Sequence, residues 1–235
     1  MSESQLLLAT AASIAFLHTV LGPDHYLVFT MMGRARGWTL RRTLAVTFGC
    51  GVGHILSSVL LGVVGLVFGA ELGALVRLEG ERGDLAGWAL LAVGLVYLAW
   101  GLRRAGQRRR HSHLHHHEGV AHAHEHDHHR EHAHVHDARA GGSLAPWAIF
   151  VVFVLGPCEA LIPLFMYPAA RQSPSLVLWV ALVFGLVTLL TMMASVAALF
   201  LGLRRFALPS LARWDHALAG GTIALCGGAI TFLGL

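Results

Sequence analysis

The chain has 235 residues, of which 55% are hydrophobic and only 13% charged, with a mean hydropathy of +0.62. A soluble domain carries about a quarter charged residues, so an ordinary water-soluble fold is excluded and a helical membrane protein is indicated. The net charge of +4 comes from arginines that flank apolar runs and do not share one soluble face, which argues against a nucleic-acid partner.

Six apolar stretches are drawn, at 5–32, 42–70, 85–102, 144–168, 175–203 and 214–235, each near or above the roughly 20 residues that span a bilayer. Met1-Ser2-Glu3-Ser4 lacks the positive region of a secretory signal, so the first stretch is expected to be a retained helix. Within it Leu21-Gly22-Pro23-Asp24-His25 interrupts the helix and brings two groups that can bind metal. Lipid offers backbone groups no hydrogen bonds, so a break there must be surrounded by protein or by a water-filled cavity. The second stretch carries many small residues, expected to mark close helix packing, and one polar outlier, His54. The segment 71–84 is drawn as a loop, with Glu71, Glu79, Glu81 and Asp84 against Arg77 and Arg82.

After the third stretch the composition changes. From His111 to His136 half the residues are histidine: His111, His113, His115, His116, His117, His122, His124, His126, His128, His129, His132, His134 and His136. Dense imidazole with interleaved carboxylates suits capture of divalent cations, and so little apolar content predicts a largely disordered segment. The fourth stretch repeats the interruption as Leu155-Gly156-Pro157-Cys158-Glu159, 134 residues after the first. The fifth holds Thr188, Thr191, Met192 and Met193 at comparable depth. The sixth opens on Asp215-His216, where the aspartate is expected to favour the helix N-terminus. Cys50, Cys158 and Cys226 fall in different stretches with no C-x-x-C, so a disulfide framework is not expected.

Arginine crowds the first loop (Arg34, Arg36, Arg41, Arg42), the third (Arg103, Arg104, Arg108 to Arg110) and the fifth (Arg204, Arg205, Arg213). The positive-inside rule then places these loops, including the histidine tract, in the cytoplasm, with both termini outside. The chain also aligns on itself. Val20-Leu21-Gly22-Pro23 matches Val154-Leu155-Gly156-Pro157, and at an offset of 133 Leu85-Ala86-Gly87 matches Leu218-Ala219-Gly220, and Gly94 matches Gly227. Three spans per half force the halves to run in opposite directions. The expected organisation is therefore an all-α 3+3 inverted repeat with broken helices 1 and 4: repeats 1–102 and 144–235, joined by the cytoplasmic histidine loop 103–143. A pair of interrupted spans in corresponding halves is the sequence pointer to a transporter's substrate site.

The candidate metal ligands are His18, Asp24, His25, His54, Cys158 and Glu159. On an unbroken helix His18 and His25 would lie about 10 Å apart along the axis, too far to share an ion at metal–nitrogen distances near 2.1 Å. The Gly-Pro break is what would bring them together, and carbonyls freed by it could point at a cation. Imidazole with carboxylate suits nickel, cobalt, zinc or iron, and a thiolate shifts preference toward softer ions. A buried histidine can equally be a packing residue satisfied by one hydrogen bond, the ordinary expectation for His54 taken alone.

Phe16-Leu17-His18-Thr19-Val20-Leu21-Gly22-Pro23-Asp24-His25, followed by the arginine-rich loop and Gly51-Val52-Gly53-His54, resembles the nickel/cobalt transporter family, in particular the NicO/RcnA-type exporters and their UreH-like relatives. One departure is that five residues separate His18 from Asp24 where the nickel permeases have four, so Asp24 and His25 carry over more directly than His18. The resemblance implies nickel or cobalt as cargo, no resident cofactor, and efflux across the cell membrane because of the cytoplasmic histidine loop. Its partners would be the bilayer and the metal, with an assembly of identical subunits compatible with the sequence. Two other classes share the architecture. One is an exporter of another small solute, of the sulfite or amino-acid type. The other is a CcdA-like membrane thiol carrier, which Leu155-Gly156-Pro157-Cys158 resembles but whose second cysteine is replaced here by Asp24. No H-E-x-x-H, G-x-S-x-G or Walker A sequence is present, so an enzyme is not expected.

Overall fold

The computed structural model describes residues 2–69, 71–107, 112–117, 120–125, 144–156, 158, 160–170, 173–205 and 209–234. Helix α1 spans Glu3–Leu21 and starts with a reciprocal cap, in which Ser2 Oγ accepts the Gln5 N–H and Gln5 Oε1 accepts the Ser2 N–H. It stops at a definite place. Gly22 N–H is the last donor, bonding to His18 O at 3.0 Å, and Pro23 has no N–H to continue the ladder. The chain restarts at once as α2 (Asp24–Ala35). Then follow α3 (Leu40–Val67), capped by Thr39, and α4 (Leu72–Gln107). A short antiparallel hairpin, β1 (Ser112–His117) with β2 (Val120–Glu125), lies within the histidine tract and pairs His113 with His124 and His115 with His122 in register. The second half comprises α5 (Leu144–Leu155), α6 (Leu161–Ala170), α7 (Pro174–Arg205), a 3-10 turn at Pro209–Trp214, and α8 (Asp215–Leu233).

Among the described residues five helical stretches are long and apolar enough to cross a membrane: Glu3–Leu21, Leu40–Val67, Leu72–Gly106, Pro174–Arg205 and Ala212–Leu233. The stretch 144–168 expected as a sixth span is two helices, α5 and α6, each shorter than the bilayer requires. The segment 71–84 is not a loop. It forms the first three turns of α4, because its glycines only weaken a helix and Glu79 and Arg82, three residues apart, pair on one face.

The surface differs from that of a soluble bundle in carrying rows of large apolar side chains. Helix α3 buries Thr43, Thr47, Cys50, Gly51, His54, Ser58, Gly62 and Gly65, and exposes Leu56, Leu60 and Val67. Helix α7 likewise exposes Leu178, Leu182, Leu186 and Leu190 while burying Thr188 and Met192. Threonine, serine, histidine and glycine join Phe184, Val180 and Val196 in the interior while rows of leucine face out, as expected where the surrounding solvent is lipid. The chain is thus a multi-pass helical membrane protein. Its tightest crossing is α4 on α8, where a Cβ at Gly94 would lie 2.2 Å from the backbone N of Ala224 and one at Gly220 would lie 2.2 Å from that of Leu98. Only glycine allows two backbones so close.

Candidate metal centre

The break after α1 brings together two residues seven apart in sequence. The His18 and His25 ring centroids are 4.9 Å apart, and those of His25 and His54 are 5.4 Å apart, both pairs edge to face. One ring nitrogen from each of the three histidines lies within 4.8 Å of those from the other two. In all three rings Nε2 is buried and has no hydrogen-bond partner. Buried polar atoms are almost always paired, so three partnerless nitrogens on one cluster of rings ask for an explanation.

In two of the three rings, His25 and His54, the opposite nitrogen is held. His25 Nδ1 lies 3.1 Å from the Gly22 carbonyl and 3.1 Å from Oδ1 of Asp24. His54 Nδ1 lies 3.2 Å from the Phe153 carbonyl. Carbonyl and carboxylate oxygens only accept, so in the neutral rings of His25 and His54 Nδ1 carries the proton and Nε2 keeps its lone pair. This is the arrangement by which outer partners fix the tautomer and orientation of metal-binding imidazoles.

Both carbonyls come from helix breaks. The last turn of a helix leaves its C=O groups without helical partners. At the end of α5, Val152 O accepts Gly156 N–H at 2.8 Å, Phe153 O accepts His54, and Val154 O accepts Arg82 at 3.0 Å. After α1, Gly22 O accepts both the backbone and the ring of His25. One carbonyl at each break, Gly22 O and Phe153 O, therefore meets an imidazole Nδ1, where the sequence suggested that such carbonyls would face a cation directly. Glycine is required at the first break, since a Cβ on Gly22 would lie 2.5 Å from His25 Nδ1 and 3.0 Å from Asp24 Oδ1.

The cluster lines a cavity of about 500 Å³. From His18, His25, His54 and Asp24 it extends past Gly80, Gly83 and Asp84 on α4 to Ile230 and Gly234 at the end of α8. Away from this cavity an ion pair, Arg34 Nε to Asp215 Oδ1 at 3.1 Å, joins α2 to α8 and lines a second cavity with Thr30, Trp38 and Phe200. Asp215 lies in the first turn of α8 but does not cap it, because Trp214 occupies the cap position and the carboxylate is drawn to Arg34. His216 Nδ1 sits 2.8 Å from the hydroxyl of Tyr97, remote from the cavity lining.

The other expected ligands divide as follows. Asp24 stands beside His25 Nδ1 and is not a member of the nitrogen cluster. Cys158 is fully buried in an apolar group with Ala11, Ala15, Leu161 and Phe184, outside the cavity lining, and its backbone N–H donates to Ser58 Oγ at 3.1 Å. Glu159 and Pro157 lie outside the described residues, as do His111, His126, His128, His129, His132, His134 and His136. Sequence reasoning missed Arg82, Glu79 and the Phe153 carbonyl, although the opposite charges of Glu79 and Arg82 at helical spacing were a usable signal. The chain matches no protein-family model, no curated protein and no solved structure.

Proposed function

We propose that the protein transports divalent transition-metal ions across a membrane, with His18, His25 and His54 as the central binding site. The observation that carries this reading is the set of three buried, partnerless Nε2 atoms lining one cavity beside a broken helix. Neutral imidazole suits nickel, cobalt and zinc, and no thiolate belongs to the cluster to favour softer ions. Around an ion at about 2.1 Å in tetrahedral geometry the nitrogens would stand roughly 3.4 Å apart, so binding draws the rings inward from their present spacing. Water or substrate oxygen completes the coordination, and an open position of this kind lets an ion leave as well as enter.

Within this reading the chain is a 3+3 inverted repeat. Support comes from the matching breaks and from the α4–α8 crossing, where the offset-matched Gly94 and Gly227 both lie against the partner's backbone. On the orientation that the arginine pattern implies, the cavity residues Asp84 and Gly234 belong to the outer end and Arg34 and Asp215 to the inner one. Nickel or cobalt efflux, with the histidine tract collecting ions in the cytoplasm, is the form consistent with the family resemblance. No chemistry beyond movement of the ion is invoked.

The deciding experiment is metal uptake into proteoliposomes containing the purified protein, comparing nickel, cobalt, zinc and iron, with His25→Ala as control. Saturable flux of one or two metals that His25→Ala removes supports the proposal. No flux of any metal, with a proton gradient imposed in either direction, refutes it in favour of another small solute.

A further inference from the structure

We propose that Arg82 is a positioning residue of the three-histidine site, acting through His54; the proposal rests on the metal-site reading above. Its guanidinium reaches three helices. Nη1 donates to Oε1 of Glu79 at 2.6 Å, and Nη2 donates to Ser57 Oγ and to the Val154 carbonyl, each at 3.0 Å. The Glu79 side chain is 0% exposed and that of Arg82 18%. A buried ion pair is a poor way to stabilise a fold, since desolvation offsets most of the attraction. A pair buried between the helices at so little gain in stability calls for another role.

That function follows from what the other two bonds hold. Ser57 lies three residues after His54 on α3, and its hydroxyl donates to the His54 carbonyl at 2.8 Å. Val154 adjoins Phe153, whose carbonyl holds His54 Nδ1. Arg82 thus ties together the two chain segments whose mutual hydrogen bond orients the His54 ring. It does so where α5 ends and the backbone would otherwise be free to shift. The guanidinium fits this task because it is a planar, permanently charged fork of donors with no acceptor. A lysine at 82 would supply charge but not the two-way grip. With Arg82 in place the Phe153 carbonyl stays opposite Nδ1–H, and Nε2 keeps its lone pair toward the cavity. Without it the end of α5 relaxes, and His54 can present N–H to the metal in place of a lone pair.

The test is titration of the detergent-purified full chain with cobalt, followed by the visible d–d absorption bands. Wild type, Arg82→Gln and Arg82→Lys are compared, each also in a His54→Ala background, with thermal melting to show that each variant is folded. Arg82→Gln should weaken cobalt binding by about 10–100-fold and shift the bands, the range for loss of an outer partner of a metal ligand. Arg82→Lys should recover part of the affinity. Once His54 is gone, Arg82→Gln should change affinity less than about twofold, because groups that act through one another are not additive. An unchanged titration, or an equal loss with and without His54, would overturn the proposal. Wild-type protein that gives no cobalt bands would sink the metal site itself, and the role of Arg82 with it.

Discussion

Asp24→Asn distinguishes a carboxylate that binds the ion from one that holds a binding imidazole in place. Asparagine has nearly the same shape and keeps a carbonyl oxygen where Oδ1 now sits, 3.1 Å from His25 Nδ1. The Gly22 carbonyl, also at 3.1 Å, remains as a second acceptor, so the tautomer of His25 survives the change. What disappears is one negative charge beside a site that receives two positive ones. Removing such an outer partner costs about 10–100-fold in metal affinity, or roughly 1.4–2.7 kcal/mol. His25→Ala deletes one of three donor nitrogens and should lose more than Asp24→Asn does. Nickel or cobalt binding to the detergent-purified protein, measured by calorimetry, gives the order directly. If Asp24→Asn proves as damaging as His25→Ala, the carboxylate is itself a ligand and the hydrogen-bonded role assigned to it is wrong.

Three further substitutions probe the frame. Gly22→Ala would place a Cβ 2.5 Å from His25 Nδ1 and displace the ring, so the same titration should show at least a tenfold loss, which an unchanged affinity would contradict. Gly94→Leu drives a side chain into the backbone of Ala224 and should abolish monodisperse folded protein on size exclusion; Gly49→Ala, with nothing within 4 Å, should behave as wild type. Deleting 119–136 should raise the metal concentration needed for half-maximal flux in proteoliposomes without removing flux. Complete loss on that deletion would place the tract in the transport path.

Much of the fold was legible because lipid imposes strict rules. Hydropathy located α1, α3, α7 and α8 within a few residues, and Gly22-Pro23 marked the end of α1 because proline removes a donor that nothing in lipid can replace. The start of α4 was not legible. Four carboxylates and two arginines between 71 and 84 read as a water-exposed loop, yet Glu79 is fully buried against Arg82. A charged pair that satisfies itself hides from any scale that scores residues singly. Asp215 misled in the opposite way: its position predicted a cap, but an arginine 181 residues away outbids a local backbone bond.

The candidate site shows why the two Leu-Gly-Pro motifs need not carry matching ligands. What repeats is backbone: a helix that stops, and a carbonyl at the stop, from the cap residue in one case and from the last turn in the other. At the first break that carbonyl belongs to Gly22 and holds the local His25; at the second it belongs to Phe153 and holds His54, which arrives from α3. The residue after the second proline, Cys158, turns into an apolar cluster and leaves the cavity to the visiting histidine. Sequence alignment of the motifs therefore pairs Asp24 with Cys158, although the physical counterparts are Gly22 O–His25 and Phe153 O–His54. Since a hydrogen bond across 99 residues leaves no trace in local spacing, His54 looked like a packing residue until its neighbour was known. A broken helix in lipid must place its orphan carbonyls somewhere. Here both breaks place one on an imidazole whose other nitrogen faces the cavity.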